Sequence, residues 1–137
     1  NNLSMAMANT VAAVGAGATY IDGSLRALGA GAGNTQTEVM VAVLEKLGYQ
    51  TDVDLYRLLD VANEVISPLM QQPQEITAGS LILGCSGVYS SFLLHANKAA
   101  EQFAVDERDI LMQLGKMKAV GGQEDLIYEV AQTLAKL

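Results

Sequence analysis

The spacing of apolar residues predicts a mostly helical chain, and a β-branched and aromatic segment that ends at Gly23 predicts one short strand. The clearest pattern repeats every three or four residues, as on one face of a helix, and comprises Phe92, Ala96, Ala99, Ala100 and Phe103. In chain order, the predicted elements are a helix over residues 5–14, a strand over 18–22, helices over 39–47 and 55–69, an apolar segment over 76–83 that fits a strand or a helical turn, and helices over 92–103, 110–117 and 126–137. Helix, glycine turn and strand, in the order found before residue 23, are typical of a β/α repeat.

Polar residues that can accept hydrogen bonds from unpaired backbone amides precede several of these helices. Thr35, followed three residues later by Glu38, fits a capping box. The other candidate caps are, in chain order, Asn2 or Ser4, Asp52 or Asp54, and Asp106. Pro68 is expected to end or kink the helix over 55–69, whose apolar stripe is typical of a core but can also meet a partner.

Charged side chains are distributed unevenly along the chain. Between residues 1 and 37 the only ones are Asp22 and Arg26, and the rest is largely Ala, Gly, Val and small polar residues. Long charged side chains are almost never fully buried, so a segment this poor in them is expected to be enclosed on several sides. From Glu38 onward the charge density is ordinary, which indicates a boundary between an interior portion and a self-sufficient helical portion.

Length and composition exclude several classes of protein. The 137 residues suffice for one domain but fall short of the about 250 that a closed (β/α)8 barrel needs. The net charge of −7 argues against nucleic-acid binding, and no apolar run approaches the roughly 20 residues of a membrane span. The single Cys85 fits a reducing cytosol and is expected to be a small, buried and unreactive hydrophobe. Because the chain opens on Asn1 without a signal peptide, we interpret it as a piece of a longer soluble protein.

Tyr89 is the strongest candidate for chemistry. Gly84 and Gly87 bracket a turn of small residues directly before the helix over 92–103, so Tyr89 lies in or just before its first turn. Unpaired N–H groups and the positive end of the helix macrodipole gather there. A phenol in that position can donate a hydrogen bond to an oxyanion or a carbonyl. The alternative is structural, with the ring against a neighbouring element and the hydroxyl in water.

Two further features invite a functional interpretation. Asp22 ends the predicted strand, where barrel enzymes place catalytic groups, although a hydrogen bond to the backbone of its own loop is the commoner role. The loop Gly29–Asn34 has the spacing G-x-G-x-G and is separated from the strand, so it does not fit a dinucleotide-binding loop. It either lets the backbone approach a ligand or a neighbouring loop closely, or it serves as a flexible connection.

The residues predict neither a metal site nor a nucleophilic triad. His95 is the only histidine, and Lys98 and Ala99 occupy the positions three and four residues after it, so no carboxylate joins it there. Ser90 and Ser91 have no plausible base except His95 on the same helix, and no catalytic set is expected from them.

Four motifs in register resemble those of the 4-hydroxy-2-oxovalerate aldolases, and they cover essentially the whole chain. They are Asn1-Asn2-Leu3-Ser4, Ile21-Asp22-Gly23-Ser24-Leu25, Gly29-Ala30-Gly31-Ala32-Gly33-Asn34, and Gly87-Val88-Tyr89-Ser90-Ser91-Phe92-Leu93-Leu94-His95-Ala96 with the later Val120-Gly121-Gly122-Gln123-Glu124-Asp125. The resemblance implies an α/β barrel fragment, with residues 1–50 as the last βα elements of a TIM barrel. Residues 51–137 would form a mostly α-helical partner-binding domain, in which segment 76–83 is helical.

The resemblance also implies the chemistry. It predicts a divalent-metal-dependent lyase of aromatic hydrocarbon catabolism that splits 4-hydroxy-2-oxo acids into pyruvate and an aldehyde, and that partners an acylating acetaldehyde dehydrogenase. Tyr89 inherits a substrate-binding role. The catalytic residues and the ligands of the metal, expected to be Mn2+, include a His-x-His pair and lie upstream of Asn1. The fragment alone is therefore expected to be inactive, and the whole enzyme to be cytoplasmic and oligomeric. Cys85 stands where the family usually has tyrosine, which removes an aromatic ring from the pocket wall.

Two other interpretations remain open. The chain can be a free-standing helical interaction or dimerisation module without catalysis, whose exposed apolar faces drive self-association. The related acyl-CoA-dependent condensing enzymes share the barrel and the metal site, but they generally lack the Gly-Val-Tyr-Ser-Ser-Phe motif, and we rank them last.

Overall fold

The computed structural model describes residues 2–29 and 31–136, which fold mainly into helices. In chain order these are α1 (Ala6–Gly15), α2 (Thr37–Lys46), α3 (Leu55–Val61), α4 (Ala78–Ser86), α5 (Phe92–Phe103), α6 (Glu107–Lys116) and α7 (Asp125–Leu134). A short 3-10 helix covers Leu25–Ala27, and α3 continues through a π-helical turn, Ala62–Ile66, into a 3-10 turn, Ser67–Leu69. Pro68 lies in this last turn, as predicted for a residue that ends the helix. The predicted helices are confirmed, and α4 settles the ambiguous segment 76–83 as helical.

The chain divides into two compact units. We call Leu3–Glu75 the N-terminal unit, which contains α1 to α3, and Ile76–Leu137 the C-terminal unit, which contains α4 to α7. None of the helices in the described part of the chain is long and apolar enough to cross a membrane.

The C-terminal unit is organised around a closed apolar core. Its large, completely buried side chains lie on α5, α6 and α7, namely Phe92, Ile110, Leu111, Leu114 and Ile127. They fall on the helix faces that the sequence predicted to be apolar, although Met117, predicted to face inward with them, is 50% exposed. α4 packs closely on α6, since a β-carbon on Gly115 would lie 2.5 Å from the carbonyl oxygen of Ser86.

The N-terminal unit buries less of its apolar surface. Its buried hydrophobic side chains are Ala27, Met40, Val41, Leu44 and Ala62. α1 contains no buried residue, so the enclosure predicted for residues 1–37 is largely missing from this structure. The stripe predicted over 55–69 is only partly covered, since Leu59, Val65 and Leu69 are 39%, 53% and 72% exposed.

The strand predicted over residues 18–22 does not form. The segment is irregular and mostly exposed, and Tyr20 is 95% exposed. The isolated β-type pairing found among residues 2–29 and 31–136 is a parallel bridge between Ser24 and Gln36. A strand is stable when a neighbouring strand completes its backbone hydrogen bonds, and the described part of this chain gives residues 18–22 no such neighbour.

Two of the four predicted helix caps are confirmed, and the other two are absent. Asp54 caps α3 and Asp106 caps α6, each accepting a first-turn backbone N–H, at 3.2 and 2.8 Å. α1 has no side-chain cap from Asn2 or Ser4, because Met5 occupies its cap position.

The predicted capping box of α2 is also absent, because both of its side chains have tertiary partners. The hydroxyl of Thr35 pairs with that of Thr10 at 3.0 Å. The carboxylate of Glu38 accepts the backbone N–H of Arg26, with oxygen distances of 3.0 and 3.2 Å. Gln36 therefore stands at the cap position of α2 without a side-chain hydrogen bond, and Glu38 holds the 3-10 turn against α2 instead.

Candidate functional site

Tyr89 lies in the turn between α4 and α5. α4 is capped by Gly87, whose φ of 72° lies in the left-handed region that favours glycine. Val88 is buried, and the carbonyl of Tyr89 accepts the backbone N–H of Phe92 at 3.0 Å. Because Phe92 begins α5, the predicted position of Tyr89 just before this helix is confirmed.

The ring of Tyr89 packs on a neighbouring turn. The side chain is 62% exposed, and a β-carbon on Gly121 would lie 3.3 Å from Cδ1 of the ring. Residues 87–90 and 119–121 line an open hollow of about 330 Å³ at this place. A phenol so exposed can donate a hydrogen bond to an oxygen of a ligand. The same geometry also fits the structural alternative, in which the ring packs on a neighbour and the hydroxyl stays in water.

A carboxylate connects the two segments that surround Tyr89. Oε1 of Glu124 accepts the backbone N–H of Gly122 at 3.3 Å and the hydroxyl of Ser91 at 3.4 Å. Ser91 follows Tyr89 by two residues and occupies the cap position of α5. Gly122 belongs to the turn on which the ring packs.

The pKa of the Glu124 carboxyl lies below its ordinary value. The largest cause is a hydrogen bond from its own backbone N–H, followed by the one from Gly122, while partial desolvation acts in the opposite direction. The Ser91 hydroxyl and the nearby His95 lower the pKa further. Sequence reasoning missed this role, because the run Gln123-Glu124-Asp125 signals only acid at the start of α7 and does not show that Glu124 reaches Ser91.

Among the described residues, His95 and Asp22 belong to no cluster of ligating side chains large enough to hold a metal ion. Within residues 2–29 and 31–136, no three His, Cys, Asp or Glu side chains lie close enough to hold a metal ion. His95 stands one turn after Ser91 on α5, close enough to Glu124 to influence its pKa. Asp22 lines an open hollow of about 290 Å³ that is bordered by α1 and by residues 33 and 35.

The glycine-rich loop folds back on itself. Nδ2 of Asn34 donates to the carbonyl of Leu28 at 3.0 Å, and the same nitrogen lies so close to Gly29 that a β-carbon there would overlap it. Gln74 donates to the carbonyl of Gly29 at 3.3 Å. The loop therefore approaches neighbouring segments closely, which was one of its two predicted roles. Ala30 lies outside the described residues.

Cys85 is exposed, so the prediction that it is a small buried hydrophobe is wrong. The buried residues of α4 are Gly79, Ser80 and Leu83. Cys85 follows Leu83 by two positions, a spacing that turns it to the other side of the helix.

Comparisons with known proteins match both units. The family model described as HMGL-like matches residues 1–65, and the one described as DmpG-like communication domain matches residues 74–136. Proteins named 4-hydroxy-2-oxovalerate aldolase from Bacillus thuringiensis, Geobacillus thermodenitrificans and Moorella thermoacetica are 64%, 64% and 58% identical over 137, 135 and 136 residues. These alignments cover 100%, 98% and 99% of this chain but 40% of each relative. They confirm the resemblance carried by the four sequence motifs.

Proposed function

We propose that this chain, which belongs to the 4-hydroxy-2-oxovalerate aldolase family, forms the C-terminal part of a lyase that cleaves 4-hydroxy-2-oxo acids into pyruvate and an aldehyde. The observation that carries the proposal is the extent of the identity. It reaches 64% with an aldolase of that name and runs through both units rather than through a single motif. The chain spans about 40% of the length of such a relative, so the activity itself belongs to the proposal.

The N-terminal unit supports a place at the end of a (β/α)8 barrel. In this proposal residues 1–50 supply the last βα elements, and residues 51–137, which include α3, form the helical partner-binding region. The exposed segment 18–22 becomes a strand when a neighbouring strand completes its backbone hydrogen bonds, and the uncovered faces of α1 pack on further barrel elements. The HMGL-like match over residues 1–65 supports this arrangement.

Tyr89 is the residue that we assign to substrate binding. In a retro-aldol cleavage a base removes the proton of the 4-hydroxyl group, the C3–C4 bond breaks, and the electron pair moves into the enolate of pyruvate. The exposed phenol of Tyr89 donates a hydrogen bond to a substrate oxygen and so orients the hydroxy acid without exchanging a proton with it. We assign no catalytic residue to this chain.

The described residues do not fit the divalent metal on which HMGL-like enzymes generally depend. No trio of His, Cys, Asp or Glu converges among residues 2–29 and 31–136, and a protein metal site needs three or four such ligands. We therefore propose that the metal, Mn2+ by the family resemblance, is bound elsewhere in the enzyme.

The C-terminal unit supports a connection to a second enzyme. Residues 74–136 match a DmpG-like communication domain, and we propose that this region meets an acylating acetaldehyde dehydrogenase to which the aldehyde passes. The complete assembly is proposed to be a cytoplasmic oligomer.

Pyruvate release tests the proposal directly. The 137-residue chain, supplied with 4-hydroxy-2-oxopentanoate and Mn2+, is expected to release no pyruvate above buffer. The same chain joined to an upstream segment that ends in the family's His-x-His pair is expected to release it. Release by the chain alone would contradict the absence of catalytic residues from it, and an inactive joined protein that is folded would contradict the lyase.

A helical interaction module without catalysis is the second candidate. The closed core of the C-terminal unit favours it, because a region with its own core can fold independently. Size-exclusion chromatography and thermal melting of the chain distinguish the two candidates. A compact monomer with one cooperative transition supports the module, whereas poor folding or adhesive oligomers support the barrel fragment.

A further inference from the structure

The side chain of Tyr89 lies outside the apolar core, although its neighbour Val88 belongs to it. The side chain is 62% exposed, and its ring packs on the turn at Gly121, where a β-carbon would lie 3.3 to 3.7 Å from three ring carbons. A binding group keeps a defined geometry when the residues that support it are themselves fixed. What fixes the turn around Gly121 relative to α5 therefore determines how the phenol is aimed.

Hydrogen bonds within the turn fold it but do not attach it to α5. The backbone N–H of Val120 donates to Oε1 of Gln123 at 3.0 Å, and the N–H of Gln123 donates back to the carbonyl of Val120 at 3.2 Å. The N–H of Ala119 donates to the carbonyl of Leu114 at 3.1 Å, which ties the turn to α6. These bonds join α6, the turn and α7, which are consecutive in the chain.

Besides the shared core that contains Ala119 and Phe92, the side chain of Glu124 connects the turn to α5 by hydrogen bonds. One oxygen of its carboxylate accepts both the backbone N–H of Gly122 at 3.3 Å and the hydroxyl of Ser91 at 3.4 Å. Both distances are long for such bonds, but an ionised acceptor strengthens each of them. Gly122 is the neighbour of the residue on which the ring packs, and Ser91 is separated from Tyr89 by one residue.

We propose that Glu124 is a positioning residue for Tyr89, whose carboxylate ties Ser91 to Gly122 and so aims the phenol at the substrate. The part that concerns substrate rests on the proposed function, whereas the part that concerns ring orientation rests on the structure alone. Glutamine at position 124 keeps an acceptor oxygen of similar reach, and alanine removes it. Glu129, an exposed acid on α7, the helix that Glu124 precedes, provides the matched control.

The first test measures the ring in the 137-residue chain itself. Nuclear Overhauser effects between the Tyr89 ring protons and the Gly121 α-protons are expected in the parent chain, in Glu124→Gln and in Glu129→Ala, and are expected to disappear in Glu124→Ala. Ser91→Ala removes one of the two partners without touching Glu124, and it is expected to weaken the same signals. If Glu124→Ala folds and keeps these signals, the proposal is overturned. If Glu124→Ala does not fold, signals of unchanged intensity in Ser91→Ala overturn it.

The second test measures kinetics in the complete enzyme and separates the two proposals. Glu124→Ala is expected to raise KM for the hydroxy acid about fivefold with a smaller change in kcat, and Glu124→Gln to restore most of the loss. Combined with Tyr89→Phe, the effects of Glu124→Ala should be less than additive, because both act on one hydrogen bond. Full additivity overturns the positioning role. Lost ring contacts together with an unchanged KM in Tyr89→Phe support the positioning of the ring but overturn the substrate role of Tyr89.

Discussion

The two units differ in how they use their apolar residues. In the C-terminal unit, Phe92, Ile110 and Ile127 are completely buried between neighbouring helices. In the N-terminal unit, as far as the structure describes it, the best-buried large side chains are Val41, Leu44 and Met40, which remain 5% to 8% exposed. The N-terminal unit therefore has a thinner core, although its first 37 residues are poor in charge.

Apolar residues in this chain are either buried within their own unit or left uncovered by it. The apolar stripes of α5, α6 and α7 are buried within the C-terminal unit, where each packs on another helix of the same unit. In the N-terminal unit, the uncharged helix α1 has no buried residue. The apolar stripe that begins on α3 is also not covered, since Leu59, Val65 and Leu69 stay exposed. Exposed apolar surface of this kind is expected of elements that pack on further parts of a longer protein or on a partner.

The same leucine-to-alanine substitution in each unit tests this comparison most severely. Leu111 is completely buried, and Leu69 is 72% exposed. Leu111→Ala is expected to lower the free energy of unfolding by about 3 kcal/mol, because it removes packed atoms and leaves a cavity. Leu69→Ala is expected to change it by less than about 0.5 kcal/mol. Urea denaturation of the chain, followed by circular dichroism, measures both values.

A loss of similar size in Leu69→Ala would mean that the stripe of α3 is covered in solution, for example by a second copy of the chain. Repeating the denaturation at several protein concentrations distinguishes that case, because a dimer becomes more stable as concentration rises.

Two glycines at comparable helical positions give the next largest contrast. In the C-terminal unit, a β-carbon on Gly115 would meet the backbone of Ser86 at 2.5 Å, whereas Gly15, at the end of α1, has nothing within 4 Å. Gly115→Ala is expected to cost about 2 kcal/mol of stability, since α4 and α6 must separate. Gly15→Ala is expected to raise stability by up to about 1 kcal/mol, because alanine loses less backbone entropy in a helix.

Thermal melting measures both glycine variants. An unchanged melting temperature in Gly115→Ala would show that α4 and α6 pack less closely in solution than in the structure.

The contrast also explains what the sequence could and could not predict. Periodicity identified the helices of the C-terminal unit and the buried faces of α5 to α7, because these helices pack on each other. The β-branched and aromatic residues of segment 18–22 predicted a strand there, but residues 2–29 and 31–136 give that segment no pairing partner. The motif around Tyr89 indicated a candidate site, but the contact of Glu124 with Ser91 joins residues that are 33 positions apart and leaves no local pattern.

The capping box of α2 failed for the same reason. Thr35 and Glu38 have the right spacing, yet they bond to Thr10 and to the backbone of Arg26. Local propensity is a weak guide where a tertiary partner competes for the same side chain.

A smaller loss of stability is expected from breaking the hydrogen bond that joins the 3-10 turn of the N-terminal unit to its π-helical turn. The guanidinium of Arg26 donates to Oδ1 of Asn63 at 2.9 Å, in an exposed position. Asn63→Ala is expected to cost about 0.5 kcal/mol relative to Asn97→Ala, an exposed asparagine of α5, because hydrogen bonds in water contribute little net stability. Equal unfolding midpoints in urea for the two variants would show that the hydrogen bond between Arg26 and Asn63 does not stabilise the N-terminal unit.

The smallest effect is expected at the cap of α6. Arg108 hydrogen-bonds the Asp106 carboxylate through its side chain and its backbone N–H, and this lowers the pKa of Asp106 from 3.8 to about 2. A carboxyl whose pKa is lower in the folded state stabilises the fold above its unfolded pKa, and the contribution is lost as the pH falls through the folded pKa.

Asp106→Asn should therefore melt slightly below the parent chain at pH 7, and the gap should close between about pH 4 and pH 2. Arg108→Gln keeps the Asp106 cap but removes the cation. In the Arg108→Gln background, Asp106→Asn should therefore lower the melting temperature at pH 7 by a smaller amount. In the N-terminal unit the corresponding pair, Asp54 and Arg57, lies 3.5 Å apart with both side chains largely exposed, so Asp54→Asn should lower the melting temperature less at pH 7. If Asp54→Asn lowers the melting temperature more than Asp106→Asn does, the stronger helix cap lies in the N-terminal unit. That result would leave the difference between the two cores unchanged.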